Sequence, residues 1–209
     1  MAGPAEMTRK AAFFRWGLDI EAGEIVASSG ILARHDERLT GKNGEKADSA
    51  WRNLRKLTRN GITFYACLNY RLGGPLRTIK KWRGYQGIED LTIIQAAIRR
   101  IGRLAVDHGF ELITVPPQSG IGESFAARIA RDIAGKSGIP WEGLFADHGQ
   151  GKRYCIKHKM QPFPVVLLRP ITGARVLVFD DFAFTRWTMA NAIGALREAG
   201  NYCEGIVLC

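Results

Sequence analysis

Two carboxylates, Asp180 and Asp181, follow directly on the apolar run Val176-Leu-Val-Phe179 and stand just ahead of a turn carrying the hydroxyls of Thr185 and Thr188. A short, continuously apolar run reads as a buried strand, so the acidic pair is expected at the carboxyl edge of a sheet, where open α/β sheets bind ligands. Met189, Ile193 and Leu196 recur at helical spacing and Gly200 follows as a stop, which starts a helix between Thr185 and Thr188. Free backbone N–H groups, the positive dipole end and two hydroxyls make such a first turn a cradle for phosphate. The adjacent carboxylates suit the hydroxyls of a sugar. The plainer alternative is that Asp-Asp simply ends a strand, since short motifs match by accident.

Strand, acidic pair, Thr-containing turn and helix resemble the phosphoribosyl-pyrophosphate (PRPP) motif of type I phosphoribosyltransferases. The resemblance implies that Asp180 and Asp181 are the catalytic ribose-binding pair, and that Thr185, Arg186, Trp187 and Thr188 form the 5′-phosphate turn. Phe184 stands where the family has its first Thr, and Arg186 stands where it has Gly.

Composition bounds the alternatives. The chain has 209 residues, 46% hydrophobic and 24% charged, enough for one α/β domain with a sizeable core. Cys67, Cys155, Cys203 and Cys209 lie far apart with no Cys-x-x-Cys pair, so they are read as reduced and mostly buried, and a cytoplasmic location is expected. No secretory signal is read at the start, and no apolar run of about 18 residues is present, so no membrane span is expected. His35, His108, His148 and His158 show no nucleophile or metal partner at useful spacing and are read as structural.

The net charge of +10 is concentrated: Lys42 to Arg83 holds eleven basic residues against Glu45 and Asp48. Such a surplus attracts polyanions. Trp51, Phe64, Tyr65, Tyr70, Trp82 and Tyr85 are interleaved with it, so a second function class stays open: a catalytically inactive protein binding single-stranded DNA or RNA, with Arg77, Lys80, Lys81 and Arg83 as phosphate contacts. Against this stands the bland reading of a solvated basic face and core aromatics. A sensor of PRPP or another phosphorylated nucleotide is a third possibility.

Along the chain, residues 1–10 read as a frayed tail, and Ala11–Ile20 with Glu24–Ser29 as a β-hairpin. Arg34–Asp48 reads as a mobile loop. Ala50–Leu57 has weak helical character ended by Asn60-Gly61, and Ile62–Arg71 is rich in strand formers. A helix capped by Asp90 carries Leu91, Ile94, Ile98, Ile101 and Leu104 on one face and ends at His108-Gly109. Strand Glu111–Val115 follows. A second helix carries Ile121, Phe125, Ile129 and Ile133 and stops near Gly135. This alternation opens a parallel α/β sheet. Gly120-x-Gly122 after a strand hints at a dinucleotide fingerprint, but Phe125 sits where the third glycine belongs.

The order of these parts adds to the resemblance. Gly74-Pro75-Leu76-Arg77, a long helix, a strand ending in Val115-Pro116-Pro117, a helix, a basic stretch containing Lys152, Arg153, Lys157 and Lys159, and then Asp-Asp is similar to the competence-associated ComF-like branch. The likeness covers roughly residues 70 to 209. The zinc ribbon common in that branch is missing, and Gly122-Glu123-Ser124-Phe125 stands in weakly for its Arg-Gly-Phe-Asn signature. The resemblance implies a type I phosphoribosyltransferase-like α/β fold with a mainly parallel central sheet over residues 71–209, after a β-rich basic extension over 1–70. It places pyrophosphate on Pro117, Gln118, Ser119 and Gly120. It implies Mg²⁺ held mainly by PRPP itself, with the basic stretch as a closing loop. A homodimer is among the assemblies it allows, and the acceptor is left open.

Overall fold

A computed structural model describes residues 18–21, 24–27, 54–68, 92–118, 123–146, 165–183 and 186–209. Strands β1 (Leu18–Glu21) and β2 (Glu24–Ala27) pair antiparallel as a two-stranded sheet, in the place where a hairpin is expected. The main sheet has five strands in the order β3-β4-β7-β6-β5, namely β3 (Arg55–Arg59), β4 (Ile62–Ala66), β5 (Leu112–Thr114), β6 (Arg175–Asp180) and β7 (Tyr202–Val207). Strands β4, β7, β6 and β5 run parallel; β3 is an antiparallel edge.

Helices α1 (Thr92–Asp107) and α2 (Phe125–Ser137) cover one face of this sheet, and α3 (Trp187–Glu198) covers the other. The alternation along β6 explains the layering. Leu177 and Phe179 join the α1/α2 core, while Val176 and Val178 join the α3 core, and all four are fully buried. A strand clothed on both faces must be apolar at every position, as the Val-Leu-Val-Phe run is. On α1, Ile94, Ile98 and Ile101 are fully buried and Leu104 nearly so, the expected stripe at helical spacing. Met189, Ile193 and Leu196 do the same for α3. That helix lies unusually close to the sheet at Gly205: a Cβ added there would meet Ile193 Cδ1 at 2.7 Å, Met189 Sδ at 2.8 Å and Phe64 Cβ at 2.9 Å.

Three expectations change. First, helical character at Ala50–Leu57 gives way to strand β3 from Arg55 onward. Leu57 is buried between exposed Lys56 and Thr58, a period of two, and Asn60-Gly61 is a two-residue hairpin turn with both φ angles positive, 50° and 74°. Second, α2 runs past Gly135 to Ser137 and is capped by Gly138, whose left-handed backbone donates its N–H to the Ala134 carbonyl at 2.8 Å. Its start is set by the Ser124 hydroxyl accepting from Ala127 N at 3.1 Å, while Ile121 lies outside the described residues. Third, the strand-rich stretch Ile62–Arg71 forms strand β4 as far as Ala66, and this strand joins the main sheet: Tyr65 pairs with Ile206 and Ala66 with Val207.

The expected mobile loop at Arg34–Asp48, the cap Asp90, and the basic stretch at Lys152–Lys159 lie outside the described residues. Among the described residues, no helix is long and apolar enough to cross a membrane.

Candidate ligand site at the carboxyl edge

Strands β5 and β6 are parallel neighbours in the register Leu112 to Val176, Ile113 to Leu177 and Thr114 to Val178. Two residues beyond the last of these pairs the chain reaches Pro116 on one side and Asp180 on the other. The segment Pro116-Pro117-Gln118 and the acidic pair therefore leave the same sheet edge side by side, on strands about 4.8 Å apart. Pro116 and Pro117 are buried, Gln118 is half-buried, and its Nε2 donates to the Pro116 carbonyl at 2.7 Å. The proline pair and this bond hold the loop against the sheet end.

Asp180 and Asp181 are both half-buried. Asp180 Oδ1 accepts from Asp181 N at 2.9 Å, and Asp181 Oδ1 accepts from Phe182 N at 2.8 Å, so each carboxylate is oriented by the next peptide. The main chain of this corner is tied to the end of β7: Leu208 N donates to Asp180 O at 3.2 Å, Cys209 N to Asp181 O at 3.3 Å, and Ala183 N to Cys209 O at 3.0 Å. The acidic turn is thus fixed from both sides. Burial first, with Cys67 and Asp181 adding and Arg55 opposing, pushes the Cys209 thiol up to about 12. Arg55 starts β3 at this end of the sheet, opposite Ala66.

Helix α3 begins after Arg186, whose carbonyl accepts from Ala190 N at 3.1 Å. Arg186 is exposed and holds the left-handed conformation, φ 61° and ψ −5°, and its side chain makes no capping hydrogen bond. A non-glycine residue without such a bond is strained there, typically by 1–2 kcal/mol. The turn therefore carries an arginine on a backbone that glycine adopts most easily. Trp187 and Thr188 follow as half-buried first-turn residues whose N–H groups have no helical acceptor.

The expected residues Asp180, Asp181, Pro117 and Gln118 therefore meet at one edge, and Arg186, Trp187 and Thr188 open the helix that follows. Thr185, Ser119 and Gly120 lie outside the described residues. So do Arg77, Lys80, Lys81 and Arg83, on which the nucleic-acid reading rests. Trp187 does more than offer an N–H: its ring carries the Arg59 guanidinium, with Cζ 4.0 Å from the centroid. In the sequence Arg59 is one cation among eleven, and the signal that separates it is its place as the last strand residue before Asn60-Gly61. Among the described residues, no group of three or more His, Cys, Asp or Glu is placed to hold a metal ion. No protein-family model and no curated protein matches this chain.

Proposed function

We propose that this chain binds PRPP with Mg²⁺ at the carboxyl edge of its main sheet and acts as a phosphoribosyltransferase-like protein. The observation that carries the reading is the convergence of the Pro117-Gln118 segment and the Asp180-Asp181 pair on neighbouring parallel strands, followed by a glycine-type backbone at Arg186 where a helix starts. In this reading the ribose hydroxyls lie against Asp180 and Asp181. The same carboxylates stabilise the positive character that develops at the anomeric carbon as the bond to pyrophosphate lengthens. The first turn of α3, with Thr188 and the Arg186 side chain, takes the 5′-phosphate. Pro117 to Gly120 takes the pyrophosphate, whose own oxygens carry the Mg²⁺ that offsets its charge. Rate enhancement then comes from positioning and electrostatics, with no proton relay demanded of the protein.

The test is calorimetric titration of Mg²⁺-PRPP into wild type and into Asp180→Asn/Asp181→Asn, alongside pyrophosphate release in the presence of individual nucleobases. The double variant is expected to bind at least about tenfold more weakly, a loss of charge-assisted hydrogen bonds, with an unchanged melting temperature. Equal affinities would overturn the reading.

A further inference from the structure

Arg59 and Trp187 join the edge strand to the start of α3. Arg59 lies two residues beyond Leu57, which belongs to the α3 core, so by strand alternation its side chain leaves β3 on the face that α3 covers. The guanidinium ends over the Trp187 ring, with Cζ 4.0 Å from the centroid, and its buried Nε has no hydrogen-bond partner among the described residues. Helix stability does not explain this arrangement. The first turn of α3 holds no acidic residue, and a cation beside the first residue of a helix is opposed by the macrodipole. The residue before the ring is itself held against preference: Arg186 has φ 61° and no capping hydrogen bond. A strained backbone of this kind persists only where its surroundings over-determine it. Two contacts flank Arg186: Ala190 N donates to its carbonyl at 3.1 Å, and the ring that follows it is pinned beneath Arg59. The first is common to any helix start, and the second is particular to this one.

We infer that Arg59 is a positioning residue for the proposed 5′-phosphate turn: by stacking on Trp187 it holds Arg186 in the left-handed conformation with which α3 begins. The role rests on the PRPP reading for its ligand, and on the stack and the backbone angle for its mechanism. Arg59 itself does not touch the ligand. A planar guanidinium lies flat on an indole and restrains that ring against rotation, and the ring belongs to the residue bonded to Arg186. Without the stack, Arg186 relaxes out of the left-handed region. The energy lost with the cation–π contact and the energy recovered from the strain are of the same order, so stability changes little while the shape of the turn changes. A fall in affinity without a fall in stability is therefore the signature of this role.

The experiment compares the full chain as wild type, Arg59→Met and Arg59→Lys. Three quantities are read: the HN–Hα coupling of Arg186 by NMR, which reports its φ, the affinity for Mg²⁺-PRPP by calorimetry, and the melting temperature. Arg59→Met keeps an apolar stem and removes the cation. It should move the coupling away from its left-handed value, weaken binding about three- to tenfold and leave the melting temperature nearly unchanged. Arg59→Lys keeps a cation for the ring and should restore most of the affinity and the coupling. The coupling is measured without ligand, so it judges the clamp separately: a wild type that does not bind Mg²⁺-PRPP overturns the PRPP reading, while a shifted coupling still supports the hold of Arg59 on Arg186. The inference is overturned if the coupling in Arg59→Met is unchanged, if the melting temperature falls in step with the affinity, or if Arg59→Lys binds as weakly as Arg59→Met.

Discussion

The two ends of the main sheet solve the same problem in opposite ways. At the amino end the chain closes on itself. Buried Asn201 accepts from Ala174 N at 3.1 Å and donates to Ile171 O at 2.8 Å and Leu196 O at 3.0 Å, joining the approach to β6, the end of α3 and the start of β7. Arg175 donates to His108 O at 2.9 Å and stacks on Tyr202, 4.4 Å from the ring centroid, while its own N–H donates to Glu111. Even the tight turn there, Asn60-Gly61, puts its positive φ angles on the two residue types that accept them most easily. At the carboxyl end, Asp180 and Asp181 each accept from the N–H of the next residue, and the positive φ falls on an arginine. An end locked by side chain to backbone bonds serves stability; an end with strained backbone and charged groups is the one on which the proposed ligand site rests.

The amino-end lock offers the largest effect by which to break this contrast. Asn201→Leu removes three hydrogen bonds and leaves the Ala174 N–H and two carbonyls without that partner. At roughly 1 kcal/mol for each, it should cost about 3 kcal/mol in a denaturant unfolding curve. Mg²⁺-PRPP affinity should not change. A drop in affinity as large as that of the Asp180/Asp181 variant would show that the two ends are not separable.

Openness at the carboxyl end concerns its loops and not the packing beneath them, and alkaline titration examines that. Cys67 and Cys209 follow β4 and β7, and both are buried. Burial is the main cause that pushes Cys67 up to about 11 and Cys209 up to about 12, from an ordinary 9.0. Below pH 9 folded and unfolded chains alike hold these protons, so stability is insensitive to them. Above pH 9 the unfolded chain releases protons that the folded chain keeps, so stability falls as pH rises, toward about pH 11 for Cys67, with a slope of up to about 1.4 kcal/mol per pH unit for each thiol. In a Cys155→Ser background, Cys67→Ala should flatten the fall between pH 9 and 10. A slope that does not respond would mean that solvent reaches this thiol in the folded state.

Much of the architecture is legible in residue order because burial on both sides of a parallel strand, or on one side of a helix, writes itself as a period. Val176 to Phe179, the Ile94-Ile98-Ile101 row and Met189-Ile193-Leu196 are all of this kind. Reading failed where one local feature serves two structures. Asn60-Gly61 stops a helix as well as it turns a hairpin, and the antiparallel pairing of β3 with β4 decides for the hairpin. Gly135 and Gly138 both offer a helix stop three residues apart, and the chain uses the second. The acidic pair was legible because it ends an apolar run. Asn201 and Arg59 were not, since Asn201 reaches 27 and 30 positions back to Ala174 and Ile171, Arg59 reaches 128 positions ahead to Trp187, and no spacing announces them.

The finest distinction between the two ends is backbone strain at a single residue. Among the described residues, Asn60 and Arg186 are the non-glycine positions with positive φ, at 50° and 61°. Asparagine tolerates this region because its short polar side chain bonds locally, whereas arginine gains nothing of the kind. Arg186→Gly relieves about 1–2 kcal/mol of left-handed strain and gives back about 0.4–1 kcal/mol through the more flexible unfolded chain. The net is a stabilisation of about 0.5–1 kcal/mol. Arg186→Ala keeps the Cβ, hence the strain, and should leave stability unchanged to within about 0.5 kcal/mol. Asn60→Gly, where little strain exists to relieve, should likewise change little. Ligand affinity separates strain that is merely tolerated from strain that positions a side chain: if Arg186 reaches a phosphate, Ala and Gly both lose the guanidinium contact, and Gly alone brings the backbone freedom that a left-handed turn favours. The expected order of Mg²⁺-PRPP affinity is therefore wild type above Gly above Ala, while the expected order of stability puts Gly first and the other two level. The same order in both measurements would mean that the arginine is carried at this turn without a role in binding.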